Sequence, residues 1–118
     1  MPSVYLIAAT GQVVIKCRAI TLTIPHDLGE PLALALHRAV AAACAGRFSL
    51  IVIPAGVPAG AGGLAVVSSP NRVALTDHTY RRVIFLTALG ARQLARYLPR
   101  YCDLARVLNR QAAPSYVN

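Results

Sequence analysis

Apolar residues in the first part of the chain come in short runs dense in β-branched side chains. Val4–Ala9 (VYLIAA) predicts a strand, Thr10-Gly11-Gln12 a turn, and Val13–Ile24 a second, longer strand. Within that second run, Ile20, Leu22 and Ile24 alternate with Thr21 and Thr23, so one face is apolar and the other polar. Pro25 ends it. The pattern then changes. Leu32–Ala45 has only His37 and Arg38 as polar side chains, which predicts a helix buried nearly all round. Asp27 with Glu30 three residues later is a D-x-x-E variant of the capping box. Pro31 fits a first turn, and Gly46 is a natural C-terminal stop.

Phe48–Ile53 (FSLIVI) predicts a short interior strand, and Pro54–Gly63, dense in Pro and Gly, a loop. Leu64–Ser68 predicts a further strand, and Pro70-Asn71 marks a turn. Val73–Thr76 and Arg81–Thr87 predict a hairpin whose connection, Asp77-His78-Thr79-Tyr80, holds His78. No residue from Phe48 to Asn71 is charged, but its prolines and glycines would leave backbone groups unsatisfied in lipid, so no membrane span is expected there. A last helix is expected from near Thr87–Gly90, kinked or split at Pro99.

That last helix has two sides. Indexed at about 100° per residue, Arg92, Arg96, Arg100, Asp103, Arg106 and Arg110 fall within an arc of about 120°. Leu94, Tyr97, Leu98, Tyr101, Cys102 and Leu104 index to the other side. Together the elements predict a small α+β domain over residues 1–110. It has a mainly antiparallel sheet, one buried central helix and one basic C-terminal helix, with a tail at 111–118.

Composition sharpens this picture. The chain of 118 residues is 56% hydrophobic and only 14% charged, whereas an ordinary domain is nearer a quarter charged. Some apolar surface is therefore expected to be covered by a second copy or a partner, although alanine also raises the apolar fraction. The formal net charge is +8, and Lys16 is the only lysine among twelve cationic residues. Residues 1–71 hold four cations and two anions, and residues 72–118 hold eight cations and two anions. Arginine suits bidentate phosphate or carboxylate contacts. Arg92, Arg96, Arg100, Arg106 and Arg110, with Arg72, Arg81 and Arg82, are the expected polyanion-binding residues.

Catalytic chemistry is thinly represented. Ala8-Ala9-Thr10-Gly11-Gln12 lacks the later glycines and the helix of a dinucleotide-binding turn. Three cysteines without a C-x-x-C pair, with three histidines and four carboxylates, show no zinc spacing, so no metal or cofactor is expected. The odd cysteine count fits a reduced setting, with Cys44 and Cys102 on apolar helix faces. No basic region precedes an apolar run at the N-terminus, so no signal peptide is expected. The expected location is cytoplasmic or within a virion.

His78, beside Arg72, Arg81, Arg82 and Tyr80 in sequence, is the best candidate for acid–base chemistry on a phosphodiester, with His26 second. His37 is expected to be a packed or interface histidine. The opening Val4-Tyr5-Leu6 and a His26-Asp27 pair ahead of an apolar helix ending near Cys44 and Gly46 resemble small viral and bacterial enzymes that degrade cyclic oligoadenylates. The resemblance is confined to the first half of the chain, and it would carry a site role to His26 alone.

The leading expectation is a non-enzymatic assembly or accessory protein of virion, phage or mobile-element type. It would form a homo-oligomer and present arginines to nucleic acid or another polyanion. The alternatives are a metal-independent phosphodiester-cleaving enzyme (a small ribonuclease or cyclic-oligonucleotide nuclease) and an inhibitor or immunity-type protein that binds an acidic partner.

Overall fold

The structure is a computed structural model and describes residues 4–53, 63–77 and 81–112. Its elements are β1 (Val4–Ala9), β2 (Gln12–Cys17), β3 (Ile20–Pro25), a 3-10 turn (His26–Leu28), α1 (Gly29–Cys44), β4 (Ser49–Ile53), β5 (Leu64–Ser69), β6 (Arg72–Asp77), β7 (Arg82–Thr87) and α2 (Ala88–Ala112). This is an α+β fold with two antiparallel sheets, ordered β1-β2-β3 and β4-β5-β6-β7.

Tight turns set the registers. Ala9 lies opposite Gln12, and Gly11 between them has φ +75°, a conformation that costs glycine nothing. Ser69 lies opposite Arg72 across Pro70-Asn71, with Asn71 at φ +62°. Proline followed by a left-handed Asn is the type II arrangement. The expected single strand Val13–Ile24 is instead two strands. It folds back at Arg18-Ala19, pairing Cys17 with Ile20, and Arg18 takes φ +55°. No Gly, Pro or Asn marks that turn, so the break is set by pairing and burial rather than by turn chemistry.

Both helices lie over the inner faces of the sheets, α2 mainly over β1 and β2, α1 over β4, β5 and β6, and they pack on each other. Ile15, Leu22, Val66 and Leu75 from the sheets meet Leu36 and Leu98 from the helices in one continuous core. The two sheets adjoin where Arg82 Nη1 on β7 donates to the Thr21 carbonyl on β3.

The ends of α1 differ from each other. The capping box does not form: a 3-10 turn precedes the helix, Leu28 stands at the N-cap and no side chain caps it. The C-terminal stop forms as expected. Gly46 has φ +72° and donates to the Ala43 carbonyl, while Arg47 donates to the Ala42 carbonyl, the paired bonds of a Schellman motif. Ser68, fully buried, then ties this end to the sheet: its hydroxyl donates to the Arg47 carbonyl and pairs with the Ser49 hydroxyl at 2.6 Å.

Several burial expectations are corrected. α1 is not buried all round, because Leu34, His37, Arg38 and Cys44 are exposed along one side. β4 is an edge strand, not an interior one, with Leu50 66% and Val52 63% exposed. Residues that alternate along a strand face opposite sides, so only Ile51 and Ile53 turn inward. α2 is a single helix across Pro99 and runs to Ala112, so Gln111 and Ala112 are helical rather than tail. Its start is fixed by Thr87, whose Oγ1 accepts from the Gly90 amide at 3.0 Å. Of Pro54–Gly63, only Gly63 is among the described residues.

Candidate functional site

The solvent side of α2 is built by the 3.6-residue repeat. Ala91, Leu94, Ala95, Leu98, Cys102 and Ala105 are buried, which turns the complementary positions outward. Arg92, Arg96, Arg100, Arg106 and Arg110 are all exposed. From the first to the last they span about 27 Å at about 1.5 Å per residue. Asp103, also exposed, is the one acidic residue on this face, and it pairs with Arg106 Nη2.

The division of α2 into two sides is less clean than its indexing. Leu104 is 50% and Tyr97 43% exposed, and the Arg96 guanidinium lies over the Tyr97 ring at 5.8 Å from its centroid. That contact is a cation–π pair, and it holds one arginine against the helix surface. Leu89 and Val107 are exposed as well.

The remaining arginines do not form one cluster. Register places Arg72 opposite Thr87 and Arg82 opposite Asp77, so Arg72 lies at the far end of the β6–β7 hairpin from Arg81 and Arg82. Five residue steps along a strand amount to about 16 Å. The expected grouping of Arg72 with Arg81 and Arg82 is therefore not formed. Arg82 is engaged with Thr21, and Arg81 is exposed at φ +53°. His78 and Tyr80 lie outside the described residues.

A second site, absent from the sequence reading, lies beside the arginine face. A cleft of about 350 Å³ is lined by His26, Asp27, Glu30, Pro31, Pro99, Cys102, Asp103 and Arg106. Three of the four carboxylates of a chain with net charge +8 meet there. They come from the 3-10 turn (Asp27), the start of α1 (Glu30) and the middle of α2 (Asp103), and the two helices touch where Gly29 faces Cys102. A Cβ at Gly29 would lie 2.5 Å from the Cys102 sulfur, so the close approach requires glycine.

His26 is held on both sides. Its backbone amide and its Nδ1 both donate to the Gly11 carbonyl, at 3.1 and 3.0 Å, and its Nε2 lies 2.9 Å from Asp27 Oδ1. The Gly11 amide in turn donates to the Ala105 carbonyl on α2 at 3.0 Å. His26 thus joins the β1–β2 turn to the helix layer, and neither ring nitrogen is left open to a substrate. Burial and the Asp103 carboxylate together push the Cys102 thiol up to about 11, so it stays protonated and a poor nucleophile. Among the described residues, no group of three His, Cys, Asp or Glu side chains is placed to hold a metal ion. Among them also, no helix is long and apolar enough to cross a membrane.

No family model, curated protein or solved structure matches this chain.

Proposed function

We propose that the protein is a non-enzymatic assembly or accessory protein that self-associates and uses the outer side of α2 to contact nucleic acid or a similar polyanion. The supporting observation is the row of five exposed arginines on one rigid helix, offset by a single carboxylate. Such a row meets phosphates through charge and bidentate hydrogen bonds without reading bases, so binding is independent of sequence. A phage, virion or mobile-element accessory role fits this chemistry. Against the enzyme reading, His26 has both ring nitrogens engaged, and the cleft around it presents carboxylates that repel a phosphodiester.

The test is binding to single- and double-stranded DNA and RNA of unrelated sequences over a range of salt. Each phosphate contact contributes about 0.7–0.9 to the slope of log affinity against log salt. Replacing Arg92, Arg96 and Arg100 together with Gln should weaken binding alike for all sequences and flatten the slope by about two to three units. Unchanged affinity and slope in a folded triple variant would reject the arginine face as the contact. Cleavage of RNA or cyclic oligonucleotides that resists chelators and is lost in His26→Ala would replace this reading with the enzyme.

A further inference from the structure

The β4–β7 sheet has an outer face, turned away from the helices, on which the side chains of the two outer strands stand open to solvent. Three rows run across it; the one at the β5–β6 turn end is polar (Ser69, Arg72, Thr87), and the other two are mostly apolar. Register aligns Leu50, Val67, Ala74 and Phe85 in one, and Val52, Ala65, Thr76 and Val83 in the other. Seven of these eight side chains are apolar and none is charged. Leu50, Val52 and Phe85 are 66%, 63% and 74% exposed, and Phe48, just before β4, is 78% exposed. We infer that this face is the interface of a two-fold symmetric homodimer, in which two copies pack sheet against sheet. The inference rests on the self-association half of the proposed function and gives it a surface.

Size and charge each support a second copy. The four exposed side chains, with the partly covered Val67 and Val83, leave on the order of 500 Å² of apolar surface open. A standard interface takes about 800 Å² from each partner, of which roughly 60% is apolar, or about 480 Å².

The largest exposed side chains stand on the two outer strands (Leu50 and Val52 on β4, Phe85 on β7), while Val67, Ala74 and Thr76 between them are partly covered and Ala65 is buried. Sheets packed face to face lie about 10 Å apart.

Charge selects this mode over others. Two chains of +8 repel, and the exposed Tyr97, Leu104 and Val107 sit among arginines, where a second copy would add like charge. Face-to-face packing instead leaves the two α2 helices on opposite outer sides. Their axes are then about 30 Å apart, well beyond a screening length of about 8 Å in physiological salt.

The experiment is sedimentation equilibrium on the full chain in about 1 M NaCl, where association through bound polyanion is removed. The wild type should show twice its 12.5 kDa chain mass. The variant Leu50→Glu/Phe85→Glu should keep its circular dichroism and dissociate at least about 100-fold more readily, because each dimer would bury four unpaired carboxylates. The milder Phe85→Ser should weaken the dimer by about tenfold, and it serves if the double variant misfolds. Tyr5→Glu/Ile7→Glu, equally open on the other sheet, should leave the dimer intact. A monomeric wild type at about 100 µM, or a dimer indifferent to Leu50→Glu/Phe85→Glu and Phe85→Ser, would overturn the inference. So would a dimer lost equally in the Tyr5/Ile7 control. Loss of nucleic-acid binding in the arginine variants bears only on α2 and leaves this result standing.

Discussion

On the outside of the β1–β3 sheet, register aligns Tyr5 with Lys16 and Thr21, and Ile7 with Val14 and Thr23. On the outside of the β4–β7 sheet two rows contain one threonine and no charge, and the third, Ser69, Arg72 and Thr87, contains one arginine. Inside, the sheets are alike, both presenting fully buried Val, Ile and Leu to the helices. An antiparallel sheet needs one covered face and is content with water on the other, provided that face alternates to polar residues. The first sheet follows that rule at Lys16, Thr21 and Thr23. The second departs from it in the two rows from Leu50 to Phe85 and from Val52 to Val83, while its third row, Ser69, Arg72 and Thr87, is polar. The departure is therefore a property of two rows on one surface.

If the inner faces are equivalent, truncating either should cost the same. Leu22→Ala on β3 and Leu75→Ala on β6 both remove a fully buried side chain, and each should destabilise by about 2–5 kcal/mol in urea denaturation. A cost confined to one of them would mean that the two sheets do not share one core.

The helix layer covers both sheets, so a perturbation within it should loosen both together. Cys102 lies in that layer with its thiol raised from 9.0 to about 11 by burial and by Asp103. A thiol raised on folding supports the fold fully below its unfolded value. That support is lost as pH rises from about 9 to about 11, where the unfolded chain gives up its proton and the folded chain does not. This contribution should lower stability over the window by at most about 2–3 kcal/mol, and Cys102→Ala should remove it. Thiol labelling at pH 8 gives the kinetic counterpart: exposed Cys44 should react quickly and buried Cys102 only on unfolding.

The seam between the sheets should be weaker than either core. Arg82→Ala removes the donor to the Thr21 carbonyl, an exposed bond, and should cost about 1 kcal/mol. The smallest effect on the fold belongs to the outer faces. Leu50→Thr and Tyr5→Thr should each change monomer stability by no more than about 0.5 kcal/mol, because both positions are open to water. Only Leu50→Thr should raise the concentration at which the protein precipitates in ammonium sulfate. An equal gain from Tyr5→Thr would erase the distinction between the two sheets.

Much of this architecture was legible where local chemistry decides it. The apolar run of α1, the arginine arc of α2 and the turns at Gly11, Gly46 and Asn71 follow from periodicity and from residues suited to positive φ. The reversal at Arg18-Ala19 was hidden because a non-glycine residue takes the left-handed conformation there. The edge position of β4 was hidden because an apolar run reads alike for a central strand and for an edge whose outer side is open. Pro99 was expected to kink or split α2; it does not split it, and the helix continues through it, packed along its length against α1 and the first sheet. In the candidate site, the arginine arc lay in one helix and could be indexed. The cleft joins residues near position 27 to residues near position 103, and nothing local announces that meeting. The sequence also grouped Arg72 with Arg81 and Arg82, which share a hairpin but sit at its opposite ends.

The contact between Gly29 and Cys102 has a consequence on the timescale of sequence change. A methyl group at position 29 would lie within 2.5 Å of the sulfur and 2.8 Å of the Cβ of residue 102, so α1 and α2 would have to part or residue 102 would have to shrink. Neither position is therefore free to drift alone. Gly29→Ala should be tolerated only alongside Cys102→Gly, and the two changes should be strongly non-additive in stability. In related chains these positions should substitute as a pair, a large residue at 102 always facing glycine at 29. Such a covariation would mark descent with this helix crossing even where the arginines and the sheet surface have been replaced.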